Sequence, residues 1–103
     1  MLSHNDFHYS VTVQTDDLAM VHCLRGLSMF AQAEGNKRIP WGGTKENDWE
    51  QHHHCVTFHF SSPRYRSEFE EQVTRLLPKD SWTRVGDSDE NPAKPQDGHE
   101  SWL

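Results

Sequence analysis

Apolar and polar residues alternate along two stretches of the chain and recur every three or four residues along two others. From Cys55 to Phe60, Val56, Phe58 and Phe60 fall on one side of an extended chain, and Cys55, Thr57 and His59 on the other. Tyr9, Val11 and Val13 alternate with His8, Ser10, Thr12 and Gln14 in the same way. Successive strand side chains point to opposite faces, so both stretches predict half-buried strands with the apolar set inward. Leu18, Val21, Leu24, Leu27 or Ser28, and Ala31 form the stripe of a helix from about Asp17 to Glu34, with Gly35 as its left-handed close. Tyr65, Phe69, Val73 and Leu76 line a second helix from about Pro63 to Leu77, capped by Ser62 or Ser67 and stopped by Pro78.

Two weaker segments complete the order. Lys37 to Trp41 predicts a short strand, and Pro40 places it at a sheet edge. Gly42 to Asp48 predicts a polar loop or hairpin turn, and Ser81 to Val85 a last strand. The resulting βαββαβ order predicts an α+β, ferredoxin-like two-layer sandwich: a four-stranded antiparallel sheet with both helices on one face. Its first and third strands are expected side by side at the centre, with His8 near His59 and Thr12 near Cys55. The other face of the sheet is expected to be open, presenting His8, Ser10, Thr12, Gln14, His53, Cys55, Thr57 and His59.

Composition narrows this picture. A chain of 103 residues supports one domain. The net charge is −6, but residues 86–103 hold five acids against Lys94, a net −4, which leaves −2 for residues 1–85. Residues 1–85 are therefore expected to be the folded domain, and residues 86–103 a disordered acidic tail ending in Trp102-Leu103. A nearly neutral body argues against a basic nucleic-acid platform. Tyr9, Phe58 and Phe60 alternate to the core side, which argues against base stacking on the sheet. Cys23 and Cys55 cannot make a disulfide framework, residues 1–6 do not read as a secretory leader, and no apolar run has membrane-spanning length. A cytoplasmic protein without a membrane segment is expected.

The candidate chemistry lies in three places. His8, His53, Cys55 and His59 share the expected open face and would be the ligands of a zinc or similar site. Neighbouring strand residues point apart, so His52, His53 and His54 cannot all serve one ion. No pair has the spacing of a zinc finger or of a His-Glu-x-x-His helix. Trp41, the Gly42-Gly43 loop and Trp49 are the expected protein contacts, since exposed tryptophans anchor interfaces, together with His8, His53 and His59. Met20, Met29 and Phe30 lie beyond the core stripe of the first helix and would complete the core or mark a partner surface. Asp16 and Asp17 end the first strand, where they would cap the helix that follows.

In its architecture and in Asp16 and Asp17 the chain resembles small ferredoxin-like ribonucleases of CRISPR systems and of antitoxins. The resemblance implies a Mg²⁺-dependent endoribonuclease with Asp16 and Asp17 as its acidic residues. The residues themselves favour a different expectation: a non-catalytic module that binds a protein partner as a regulator or inhibitor, antitoxin-like or of the mobile-element type, with a homodimer through the sheet as one possible form.

Overall fold

The structure, a computed structural model, describes residues 2–35, 39–41, 46–51 and 53–93. Among them the order is β1 (Tyr9–Gln14), α1 (Leu18–Ala31), α2 (Glu46–Gln51), β2 (Cys55–Phe60), α3 (Pro63–Leu76) and β3 (Thr83–Ser88), with short 3-10 turns at His4–Asp6 and Lys79–Ser81. The fold is α+β, with a three-stranded antiparallel sheet in the order β2-β1-β3. No helix of the described residues is long and apolar enough to cross a membrane.

The alternation of the two predicted strands sets their pairing. Tyr9 lies opposite Phe60, Val11 opposite Phe58, Thr12 opposite Thr57 and Gln14 opposite Cys55. The expected pairing is thus correct in direction and off by two residues in register: His59 lies opposite Ser10 rather than His8, and Cys55 opposite Gln14 rather than Thr12. Val11, Val13, Val56, Phe58 and Phe60 are buried against Val21 and Leu24 of α1 and Phe69 and Val73 of α3. The Phe69 ring lies 5.0 Å from that of Phe58 and 5.2 Å from that of Phe60. Burying each such ring contributes about 1.5–3 kcal/mol.

Local chemistry fixes the helix ends. Asp17 caps α1 by accepting from the Ala19 N–H at 2.9 Å. Ser62 caps α3 by accepting from the Tyr65 N–H, so the alternative cap Ser67 is not used. After Ala31 the buried Gln32 amide bonds Ser61 through both ends, donating to its Oγ at 2.7 Å and accepting from its N–H at 3.2 Å. This fastens the end of α1 to the end of β2 and stops the helix short of Glu34. Leu76 is exposed rather than part of the α3 core stripe.

Three expectations change. The second of the four expected strands is not seen: Ile39–Trp41 forms a turn, while Lys37 and Arg38 lie outside the described residues. Pro40 has no N–H to give to a ladder; its carbonyl accepts one bond, from His59 N at 3.2 Å. The polar stretch before β2 ends in the helix α2, where a loop was expected. The last strand runs to Ser88, three residues past the expected domain end at Val85. Beyond it, Asn91 N donates to the His8 carbonyl and Ala93 N to the Phe7 carbonyl, each at 2.9 Å. Ala93 is buried with Phe7 and Ile39 in a small second cluster. Residues 86–93 therefore belong to the fold, and residues 94–103 lie outside the described residues.

Candidate functional site

The end of β1 is held by a knot of two backbone bonds and one from an indole. Trp49 Nε1 donates to the Thr15 carbonyl at 2.9 Å, Thr15 N to the His54 carbonyl at 3.0 Å, and His54 N to the Trp49 carbonyl at 2.9 Å. The last bond spans five residues and is the six-to-one close that ends a helix with a left-handed residue. That residue is His53, at φ 58°, and His54 follows at φ 60°. Side-chain-bearing residues adopt this region at a cost of roughly 1 kcal/mol or more each. Gln14 Nε2 steadies the corner by donating to the His53 carbonyl at 2.7 Å.

Beside this knot lies a cleft of about 570 Å³, lined by residues 14–18 and 80–83. Asp80 lines the same cleft as Asp16 and Asp17, a relation that sequence spacing did not reveal. Asp16 is exposed, and its Oδ1 lies 3.3 Å from His54 Nδ1. Asp17 is engaged as the cap of α1. The arrangement is acidic and can attract cations, yet among the described residues no three His, Cys, Asp or Glu side chains are placed to hold one metal ion.

The expected sheet-face ligands do not gather. Cys55 and His59 begin and nearly end β2; four residues of strand separate them by about 13 Å. His8 Nδ1 bonds the Asp89 carbonyl at 2.6 Å, and His53 sits at the strained corner. His59 is only 8% exposed, and Ser10 is buried beside it. This end of the face is not open, because Asn91 folds over it: its Nδ2 donates to Ser10 Oγ at 3.2 Å, and its side chain bonds His59. Burial drives the His59 pKa from 6.5 down to about 4, and the Asn91 bond opposes the shift.

The two tryptophans are core residues. Trp41 is 2% and Trp49 5% exposed, both within the main cluster. The buried Arg25 guanidinium lies 5.0 Å from the Trp41 ring centroid. Neither indole is a surface anchor, and Gly42 and Gly43 lie outside the described residues.

An uncharged surface lies on the outer side of α1. Ala19, Cys23, Gly26 and Phe30 are exposed there, at helical spacing. The one charged residue of α1 is Arg25, which is buried, so this side carries no formal charge from Asp, Glu, Lys or Arg. Phe30 is 70% exposed and flanks a groove of about 430 Å³ shared with Ala33, Arg64, Tyr65 and Glu68. Of the three residues noted beyond the stripe, Met20 and Met29 are half-buried and Phe30 stands out. Comparison with known protein families, curated proteins and solved structures found no match.

Proposed function

We propose that this protein is a small, non-catalytic protein-binding module, a regulator or inhibitor of antitoxin-like type, that meets its partner through the outer side of α1. The observation that carries the reading is Phe30, 70% exposed on a helix side without formal charge. An exposed aromatic beside a groove is the kind of side chain that supplies most of the energy of an interface. The test is affinity capture from the producing cells, with wild type and Phe30→Asp compared at equal folded concentration. A protein retained by wild type, lost by the variant and rebinding in purified form supports the reading. Equal retention by both overturns it.

A second reading is a Mg²⁺-dependent endoribonuclease at Asp16 and Asp17. It draws on the cleft that Asp80 lines with them, and the use of Asp17 as a helix cap weighs against it. RNA cleavage with Mg²⁺ or Mn²⁺, compared among wild type, Asp16→Asn and Asp17→Asn, decides it: no cleavage by wild type removes it.

A further inference from the structure

The two edges of the sheet differ. The outer edge of β2 is met by the Pro40 carbonyl, whereas among the described residues no backbone group pairs with the outer edge of β3. An unpaired edge presents a row of N–H and C=O groups that another strand can complete.

A bulge prepares the β3 side. Thr12 lies opposite Gly86 and Val13 opposite Arg84, so Val85 has no partner on β1 and is 56% exposed. The extra residue puts Arg84 and Asp87 on the same face as Val13 and Val11, toward the helices. There Arg84 Nε meets Glu70 of α3 at 2.5 Å, and its guanidinium also pairs with Asp87. Under this bridge lies a slot of about 260 Å³, walled by Val11, Val13, Phe69, Val73 and Trp82. An engineered apolar cavity of about 150 Å³ admits benzene, so the slot is large enough for one branched or aromatic side chain.

We propose that the β3 edge and this slot form a second binding site, taking an extended, net-basic peptide segment of another protein as an added strand with one apolar side chain in the slot. Strand addition of this kind draws affinity from main-chain bonds and selectivity from pockets for alternate side chains. The basic preference follows from charge: the rim has two carboxylates, Glu70 and Asp87, for one guanidinium, on a chain of net −6.

The test is selection of a displayed random dodecapeptide library on the full chain, followed by fluorescence anisotropy with the enriched peptides. Thr74→Arg fills the slot from its exposed rim, and Val85→Pro puts a residue without an N–H into β3 at the bulge, where proline is tolerated. The expected result is enrichment of net-positive peptides with alternating apolar positions. Binding should fall at least tenfold in each variant, with thermal midpoints near wild type, and β3 amide exchange should slow on binding. Phe30→Asp should bind these peptides normally, which separates this site from the α1 surface. No enrichment, or binding equal in wild type and Thr74→Arg, overturns the proposal. So does a concentration-dependent dimer abolished by Val85→Pro, which would make a second copy the occupant.

Discussion

Trp49 Nε1 lies 2.9 Å from the Thr15 carbonyl, and this bond ties α2 to the end of β1 from inside the core. Trp49→Phe should keep most of the packing and leave that carbonyl without its donor, at a cost of about 1–3 kcal/mol. Trp49→Ala should cost about 3–5 kcal/mol. Urea unfolding at constant m-value measures both. A loss under 0.5 kcal/mol for the alanine variant would contradict the buried placement.

His53 sits at φ 58° with its side chain exposed. Glycine reaches this region without steric cost and loses more entropy on folding. His53→Gly is therefore expected to stabilise by up to about 1 kcal/mol, and the β-branched His53→Val to destabilise by at least that much. Equal denaturation midpoints for the two variants would rule out strain at this corner.

His59 gives the fold an acid dependence. Its folded pKa, about 4, is below the ordinary 6.5. Above pH 6.5 the ring is neutral in both states, and its contribution to stability is complete. As pH falls from 6.5 to 4 the unfolded chain takes up a proton that the native state refuses. Stability then drops by about 1.4 kcal/mol per pH unit, about 3 kcal/mol in all, and levels off below pH 4. Unfolding free energies measured at pH 7 and pH 4.5 should differ by less in His59→Gln than in wild type. The same difference in both proteins would assign the acid sensitivity elsewhere.

Gly26 is an exposed interior residue of α1, and a methyl group built there would meet no atom within 4 Å. Gly26→Ala should raise stability by roughly 1 kcal/mol through helix propensity. If the outer side of α1 docks a partner closely, the same change should weaken capture while the melting temperature rises. Parallel measurement of the two separates fold from interface.

The strands β1 and β2 were legible because each buries one face, so their apolar residues repeat with period two. The helices α1 and α3 were legible for the matching reason at 3.6 residues. The six-residue α2 was not: it spans fewer than two turns, too short to show a period. The stretch Gly86-Asp87-Ser88 was expected in the acidic tail, yet it extends β3, with a bulge at Val85. The expected exposure of His59, Trp41 and Trp49 changed for a shared reason. Alternation says which side chains face away from the helices, but not that Asn91 returns to cover Ser10 and His59, nor that Trp41 and Trp49 turn inward. Of the surfaces anticipated, Phe30 alone projects clearly from α1, and Asp16 and Asp17 do border a cleft.

The return of Asn91 and Ala93 to His8 and Phe7 also governs how this unit can be joined to others. Phe7 and His8 lie beside Asn91 and Ala93, so the unit between them can be spliced into a surface loop of a host protein without prying the host apart. By the same geometry a short bridge from Ala93 to Phe7 would permit new termini elsewhere, the turn at Pro78 being an exposed place to open the ring.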